Sequence, residues 1–267
     1  TELREALDAD GLVLEFQPER RIAGAMGQAG TIRSVEALVR WRHESRGVIP
    51  PAVFLPMAEE SGLIERIGTW VLRRAVAQAR TWQTSDPAYR GLSVAVNLSP
   101  RELARQDLVA VVRQVLADAC LEPGTLTLEI TEAAMVRDRP AAIVTLGALQ
   151  SLGVRIALDD CVGGPDTVDR LRDVPLDLLK LDPSLIAGLG AGGANDDLRT
   201  LVSAARTLGL QTVGEGVETR QQLATLRDSG CDLAQGYFFG RPLGAAGITA
   251  LLRAERRRRP HASSGPR

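Results

Sequence analysis

A short apolar segment that ends in two adjacent carboxylates constrains the fold of this chain more than any other feature. In the segment 153–160, the apolar residues predict a buried strand, and Asp159 and Asp160 end it. Charges at the end of a buried strand need partners nearby. Other apolar runs end in a polar residue in the same way, at Glu36, Asn97, Glu129, Lys180 and Glu215. Strand, polar tip and helix in repeated order predict a parallel α/β barrel, in which all the tips lie on one face.

Length and charge set the outer limits of the prediction. A chain of 267 residues fits one barrel domain, which we place at residues 11–254, after a helix or linker at 1–10 and before a disordered basic tail at 255–267. The net charge of −1 gives no overall field that would attract a nucleic acid polymer or an anionic membrane. No apolar run approaches the roughly eighteen residues of a membrane span, and the first residues do not form a secretory signal. We therefore expect a cytoplasmic domain.

Local patterns predict most of the elements. The first strand is expected at Leu12–Gln17, closed by Pro18, and residues 19–30 are expected to form an exposed loop because they are rich in Gly, Arg and Ala. Ser99 and Glu102 form a capping-box pattern that predicts one helix to about residue 119. The eighth strand is expected at Leu233–Phe239.

Lys180 is singled out by composition. It is the only lysine among 32 basic residues, all the others being arginine, and it stands at a predicted strand tip. An ammonium is a compact donor whose pKa can be tuned, whereas a guanidinium stays protonated. This contrast favours a chemical role for Lys180.

The tips together indicate a metal site. A single carboxylate beside a strand is most often a solvated loop residue or a helix cap, but six successive strands that each carry a carboxylate, carboxamide or ammonium at the tip predict one shared site. Apart from Lys180, the side chains at the tips can bind a metal only through oxygen, and none of them is His or Cys. Oxygen ligands suit Mg²⁺ or Mn²⁺. Five carboxylates exceed the charge of one divalent ion, so we expect two. Paired ions of this kind serve phosphodiester hydrolysis.

Seven ordered motifs carry a resemblance to a known family. They are Glu36-Ala-Leu38-Val-Arg40, Asn97-Leu-Ser99, Glu129-Ile-Thr-Glu132, Asp159-Asp160, Lys180-Leu-Asp182, Glu215-Gly-Val-Glu218 and Gln235-Gly236. In these motifs the chain resembles the EAL-domain family of cyclic di-GMP phosphodiesterases from about Leu12 to Leu252. The resemblance implies a modified triosephosphate-isomerase-type (β/α)8 barrel whose first strand is antiparallel to the others. It implies hydrolysis of cyclic di-GMP to linear pGpG, a homodimer and, in a longer protein, an upstream sensor or GGDEF domain.

The resemblance also assigns the metal ligands and the catalytic groups. One ion would be held by Glu36, Asn97, Glu129 and Asp159, and the second by Asp159, Asp160 and Glu215. Lys180 would position the attacking water, and Glu215 is the candidate general base. Gln235 would lie near that water, and Glu218 would support the ligands around it.

Substrate contacts follow in the same way. Arg40 stands four residues after Glu36, so both side chains point to the same side of an extended strand. It resembles the family arginine that grips a substrate phosphate, a task that suits a planar guanidinium. Gln17 and Asp182 resemble substrate-facing positions. Glu132 resembles the glutamate that steadies the loop after Asp160.

The chain departs from the family pattern directly after the paired aspartates. The family reads Phe-Gly-Thr-Gly-Tyr-Ser-Ser-Leu there, whereas residues 161–168 read Cys-Val-Gly-Gly-Pro-Asp-Thr-Val. By the resemblance, this loop is associated with order at the metal site and with dimer-coupled activity. The change leaves open a second hypothesis, a receptor or regulatory EAL domain that binds cyclic di-GMP with little or no catalysis. A Schiff-base aldolase built on Lys180 is a third, which is disfavoured because surrounding carboxylates should raise the pKa of the lysine.

Overall fold

The computed structural model describes residues 2–9, 11–22, 29–136, 138–164, 166–188 and 194–258. Its strands are β1 (Leu12–Ile22), β2 (Ala29–His43), β3 (Gly47–Ile49), β4 (Ser93–Asn97), β5 (Leu126–Thr131), β6 (Arg155–Cys161), β7 (Leu178–Leu181), β8 (Gln211–Gly214) and β9 (Leu233–Ala234). Its first helices are α1 (Glu2–Asp8), α2 (Pro51–Ser61), α3 (Ile64–Ser85), α4 (Pro100–Leu103), α5 (Leu108–Ala119) and α6 (Glu132–Met135). The remaining helices are α7 (Arg139–Ser151), α8 (Thr167–Leu171), α9 (Pro183–Ala187), α10 (Ala194–Thr207), α11 (Arg220–Asp228) and α12 (Ala245–Arg258).

Eight strands close into a barrel. The order around the sheet is β1-β9-β8-β7-β6-β5-β4-β2, and β1 pairs with β2 to close the ring. β1 is antiparallel to both of its neighbours, while the other barrel pairs are parallel. The predicted barrel and its reversed first strand are therefore confirmed. β3, which was not predicted, adds an antiparallel strand to the C-terminal end of β2, at residues 41–43.

Helices cover the outside of the barrel and provide the core with most of its apolar partners. α3 buries an apolar stripe against the strands, including Ile67, Val71 and Ala75. Residues at i, i+4 and i+8 lie on one face of a helix, so this stripe is continuous. Leu3 of α1 is buried in the same core, which joins the first helix to the barrel. Within the described residues, no helix has the length and hydropathy that a membrane crossing needs.

The first strand is longer than predicted. It continues through Pro18 to Ile22, so the predicted loop is wrong at residues 19–22 and 29–30, and residues 23–28 lie outside the described part of the chain. Phe16 donates its N–H to Leu243 O on the side away from β2. The direction in which backbone N–H groups point repeats every two residues along a strand. The nitrogen of Pro18 therefore also faces away from β2. Proline therefore removes no hydrogen bond from the β1–β2 ladder.

Three further boundaries differ from the prediction. The helix expected after Ser99 is divided into α4 and α5, although the predicted capping box of Ser99 and Glu102 is present. β9 ends at Ala234 instead of Phe239, because the chain then turns at Gly236 against Val217. The first residues of the predicted disordered tail, 255–258, are the last turn of α12. Residues 259–267 lie outside the described part of the chain.

Candidate active site

Polar side chains from successive strands meet at the mouth of the barrel. Asn97 ends β4 opposite Glu129 of β5, and Asp159 of β6 pairs with Thr131 at the end of β5. Lys180 lies on β7, and Glu215 directly follows β8. A cavity of about 300 Å³ opens here, and it is lined by Gln17, Glu36, Leu38, Asp159, Lys180, Pro183, Glu215, Gly216, Glu218, Gln235, Gly236 and Tyr237. The parallel strands therefore bring the predicted tips to one place.

The ammonium of Lys180 is the centre of this arrangement. Its Nζ lies 2.8 Å from Glu215 Oε1, 2.9 Å from Glu129 Oε2, 3.3 Å from Asp159 Oδ1 and 3.6 Å from Glu36 Oε2. The side chain of Lys180 is only 1% exposed. Burial by itself lowers the pKa of an ammonium, but the surrounding carboxylates outweigh it and hold the pKa of Lys180 well above its usual value. Lys180 is therefore protonated, and the chemistry of a neutral amine is excluded at this position.

Glu36 is held by three donors. Asn97 Nδ2 donates to its Oε1 at 2.9 Å, and Gln235 Nε2 donates to its Oε2 at 2.7 Å, the atom that also faces Lys180. Burial by itself would raise the pKa of Glu36, but Lys180 and the two amide donors together lower it by more than burial raises it. The pKa of Glu36 is therefore below its usual value. Lys180, Asn97 and Gln235 thus stabilise the charged form of Glu36.

Two other carboxyl groups have raised pKa values. Burial raises the pKa of Glu129 well above its usual range, and Lys180 opposes this only in part. Burial likewise raises the pKa of Glu215 to about 8, against the attraction of Lys180. One ammonium does not neutralise all the carboxylates around it, so some of them are held more stably as neutral acids. The site has more negative groups than its own cation can balance.

Asp159, Asp160 and Glu215 form a group that could hold a divalent ion. They each offer an oxygen, and these oxygens lie within 4.8 Å of one another. Asp160 has a left-handed backbone with φ of +54°, and its N–H donates to Asp159 Oδ1 at 3.0 Å. Burial and the neighbouring Asp159 raise the pKa of Asp160. These three residues were predicted to hold the second ion, and the donor set fits a hard cation such as Mg²⁺.

The other predicted residues differ in their relation to the cavity. Gln17 accepts from Gln235 Nε2 at 3.2 Å, which joins it to Glu36. Glu218 is exposed on the cavity wall, and its backbone N–H donates to Gln222 Oε1. Asp182 caps α9 by accepting from Ser184 N at 2.7 Å. Its carboxylate is thus engaged in a structural bond at the rim.

Arg40 and Glu132 form ion pairs that sequence reasoning did not predict. Arg40 Nε lies 2.9 Å from Glu15 Oε2, and Arg40 is not among the residues that line the cavity. Glu132 begins α6 and lies 3.5 Å from Arg170, close to the altered loop. Neither residue forms an ion pair with Lys180 or with the four carboxylates around it, a set called the Lys180 group below.

Comparison with known proteins then identifies the family, since the EAL domain family matches residues 1–242. The chain belongs to the EAL-domain family. It is 40% identical over 256 residues to the cyclic di-GMP phosphodiesterase NbdA of Pseudomonas aeruginosa, covering 96% of this chain and 32% of that protein. The bifunctional diguanylate cyclase/cyclic di-GMP phosphodiesterase MucR of the same species is 40% identical over 254 residues, or 94% of this chain and 36% of that protein. This EAL domain thus spans about a third of the length of these curated relatives.

A solved structure gives the same result for the fold. The PaMucR phosphodiesterase in complex with c-di-GMP superimposes with a TM-score of 0.84 at 40% identity, over 92% of this chain and 98% of that chain. The EAL domain of Mycobacterium smegmatis DcpA superimposes with a TM-score of 0.75 at 32% identity, over 91% of this chain and 98% of that chain. The barrel described above therefore has the fold of solved EAL domains.

The altered loop of this EAL domain begins with a buried residue and continues with an exposed one. Cys161 ends β6, is 3% exposed, and accepts from Asp182 N through its carbonyl. Burial raises the pKa of its thiol, so it remains a neutral apolar side chain. Val162 is 60% exposed, and Gly163 has φ of +79°. Cys161 is thus a small residue at the position where the family pattern has a phenylalanine. Val162, which follows it, is exposed and does not pack in the core.

Two residues of the site were missed by sequence reasoning. Glu19 was assigned to an exposed loop, but it lies in β1, is 3% exposed, and has its pKa raised to about 7 by burial. Its position two residues after Gln17 was an available signal, because alternate residues of a strand face the same side. Tyr237 lines the cavity, whereas the sequence analysis assigns it no role beyond the predicted eighth strand.

Proposed function

We propose that this EAL domain hydrolyses cyclic di-GMP to linear pGpG with the help of divalent metal ions. The observation that carries the proposal is the arrangement of carboxylates around Lys180, next to the group of Asp159, Asp160 and Glu215. Family membership supports it, since relatives at 40% identity are named as cyclic di-GMP phosphodiesterases. The substrate would enter the cavity of about 300 Å³ at the mouth.

The metal ions would be Mg²⁺ or Mn²⁺, and we propose two. One would be held by Asp159, Asp160 and Glu215, and the other by Glu36, Asn97, Glu129 and Asp159. The excess of carboxylates over the single ammonium supports this number. Bound ions of this kind polarise phosphate oxygens and lower the pKa of water and of neighbouring carboxyl groups.

Lys180 and Glu215 would carry the proton chemistry. The Nζ of Lys180 is a charged donor at the floor of the cavity, so it can hold the attacking water by a hydrogen bond. Glu215 Oε1 lies 2.8 Å from that donor and can accept the proton of a water held there. Gln235 would keep Glu36 and Gln17 in place through its Nε2, and Glu218 would support the site from the cavity wall.

Arg40, Gln17 and Asp182 are proposed to face the substrate. Arg40 would exchange the Glu15 carboxylate for a phosphate of the ligand, since a guanidinium binds either in the same planar geometry. Glu132 would steady the loop after Asp160 through its contact with Arg170.

The test is to incubate the purified domain with cyclic di-GMP and Mg²⁺ or Mn²⁺ and to measure linear dinucleotide. We expect turnover with either ion, little with Ca²⁺, which takes more ligands at longer distances, and none with Asp159→Ala or in excess chelator. Full activity in chelator would contradict the metal requirement. Binding without turnover would select the receptor hypothesis, and absence of both would overturn the proposal.

The wider architecture is proposed on the same basis. The length of the curated relatives supports an upstream sensor or GGDEF domain, with the barrel at residues 11–254 as the catalytic unit. The homodimer and the cytoplasmic location stay predictions, which light scattering of the full-length protein and cell fractionation would test.

A further inference from the structure

The carboxyl group of Glu102 is buried between α4 and α3, on the outside of the barrel strands. Glu102 is 5% exposed. A Cβ on Gly68 of α3 would overlap with Glu102 Oε1, so the carboxyl group occupies the space that any other residue at position 68 would need for its first side-chain atom. Glycine inside a helix is unfavourable relative to alanine. At position 68 it is required because this carboxyl group packs directly on the backbone of α3.

The other carboxyl oxygen of Glu102 holds the turn that follows β4. Ser99 donates to Oε2 twice, from its backbone N at 3.1 Å and from its Oγ at 2.6 Å. In the opposite direction, Glu102 N donates to Ser99 Oγ at 3.3 Å. A capping box satisfies the first N–H groups of a helix whether or not it is buried. The packing of Glu102 on Gly68 is therefore not needed to cap α4, and its effect is to fix the turn against α3.

This turn lies two residues after Asn97, a proposed ligand of one ion. Asn97 is exposed, and in the part of the chain that the structure describes its side chain makes a single hydrogen bond, from Nδ2 to Glu36 Oε1 at 2.9 Å. Because packing does not fix an exposed side chain, its position depends on the backbone on both sides. Before Asn97, β4 is paired with β5, and after it the chain is held at Ser99 by Glu102. A small cavity of about 10 Å³ is lined by Gly68, Asn97 and Glu102 together with other residues.

We propose that Glu102 is a positioning residue for the metal site: it holds the turn after Asn97 so that the carboxamide oxygen of Asn97 faces the ion, and Gly68 provides the space for it. The inference rests on the proposed function and adds a residue that touches neither metal nor substrate. Removing a group that orients a metal ligand typically costs about ten- to a hundredfold in metal affinity. The lower end of this range is expected here, because Asn97 keeps its bond to Glu36.

The experiment measures the affinity of the purified protein for Mn²⁺ by calorimetry, with no substrate present. Glu102→Ala should weaken Mn²⁺ binding about tenfold. Glu102→Gln should bind Mn²⁺ nearly as well as wild type, because its carbonyl oxygen can still accept from Ser99. Asn97→Ala should weaken binding at least as much as Glu102→Ala. The double variant should bind no more weakly than Asn97→Ala alone, since Glu102 acts through Asn97.

Gly68→Ala tests the same contact without removing a hydrogen-bonding group. The added Cβ would displace the carboxyl group of Glu102, so Mn²⁺ binding should weaken severalfold even though alanine favours the helix. Gly147→Ala is the matched control, because Gly147 is also inside a helix, α7, but a Cβ there would have open space around it. It should leave the affinity for Mn²⁺ unchanged.

The outcomes separate this inference from the proposed function. If wild type binds Mn²⁺ and the folded variants Glu102→Ala and Gly68→Ala bind it equally well, the positioning inference is overturned while the proposed function stands. Should Glu102→Ala fail to fold, Gly68→Ala alone decides. Equal losses in Glu102→Gln and Glu102→Ala, or losses that add in the double variant, would also overturn it, because the effect would not pass through Ser99 and Asn97. If wild type binds no Mn²⁺, the metal-dependent function fails and the inference with it.

Discussion

The two ends of the barrel differ in whether their positive and negative side chains balance. At the mouth, one ammonium, Lys180, lies within 3.6 Å of four carboxylates. At the other end, Arg20 Nη1 lies 3.0 Å from Glu255 Oε2 and donates to Gly30 O, while Glu255 also accepts from Ile32 N. This second group, Arg20, Ile32 and Glu255, is called the far-end clasp below. Its one cation and one anion balance each other.

The difference separates a site from a structural contact. In the far-end clasp, Arg20 and Glu255 form an ion pair, and each of them also hydrogen-bonds to the backbone. The clasp therefore joins α12 to β1 and β2. At the mouth, the pKa values of Glu129 and Glu215 are raised, because burial is not compensated by enough positive charge. Such an arrangement is costly for folding and is suited to binding a cation. Changes at the mouth should therefore affect activity, and changes at the far end should affect stability.

The largest expected effect comes from replacing the central lysine. Lys180→Arg keeps the positive charge but replaces a compact donor by a planar fork. We expect kcat to fall by about a hundredfold or more while the affinity for cyclic di-GMP changes little, measured by product formation and calorimetry. Arg20→Lys in the far-end clasp is the matched control and should leave kcat unchanged. Because Lys180 is fully buried, Lys180→Gln serves as a smaller second variant; near-normal kcat in both folded proteins would contradict the role of Lys180.

The next effect concerns the altered loop beyond Asp160. Replacing Cys161, Val162 and Gly163 by Phe-Gly-Thr restores an aromatic anchor and moves a glycine from position 163 to 162. A carboxylate misplaced by about 1 Å can cost on the order of a hundredfold in rate, so the graft should raise kcat and lower the Mg²⁺ concentration required. Affinity for cyclic di-GMP should be similar. Unchanged kcat and metal dependence in a folded graft would show that the loop does not limit this domain.

A third effect tests a buried carboxyl group that is separate from the Lys180 group. Burial raises the pKa of Glu102 to about 7, although its Oε2 accepts from Ser99 N and Ser99 Oγ. Since the folded state binds the proton more tightly, the stabilisation is complete below about pH 4.5, the usual pKa, and is lost as pH rises through 7. Glu102→Gln mimics the neutral form and avoids this loss.

The free energy of unfolding of Glu102→Gln, relative to wild type, should therefore rise by on the order of 2–3 kcal/mol between pH 4.5 and 8, measured by urea titration. A difference that does not vary with pH would mean that the pKa of Glu102 is the same in the folded and unfolded states, which would contradict the prediction.

The smallest effect is expected at the far-end clasp. Glu255→Ala leaves the Ile32 N–H and the Arg20 guanidinium without their acceptor, at a cost of about 1–2 kcal/mol in the free energy of unfolding. Glu255→Gln should cost less, since an amide oxygen can still accept from Ile32. Neither variant should change kcat per folded molecule. A large loss of activity in either one would break the proposed division between the two ends.

The candidate site could be predicted from sequence to the extent that it depends on strand tips. Asn97, Glu129, Asp159, Lys180 and Glu215 lie at or within two residues of the end of a strand, and a parallel barrel gathers such positions whatever the details of packing. Glu36 was also predicted at a strand tip, but β2 continues beyond it to His43. The reversed first strand was implied only by the resemblance to the EAL-domain family that the motifs carry. Positions whose role depends on a partner far away in sequence were predicted less well. Glu19 was placed in a loop, and the ion pair of Arg40 with Glu15 was not foreseen.

The sequence by itself determined the alternation of barrel strands and helices, the oxygen ligands that surround Lys180 and the departure from the family pattern at residues 161–168, because these are properties of local composition and spacing. Only the tertiary structure decided that four carboxylates share one lysine, that Asp182 caps α9 and that Tyr237 faces the cavity. The reason is that the direction of a side chain and the charge it carries depend on register and burial. Both are set by contacts between segments that lie many residues apart in the chain.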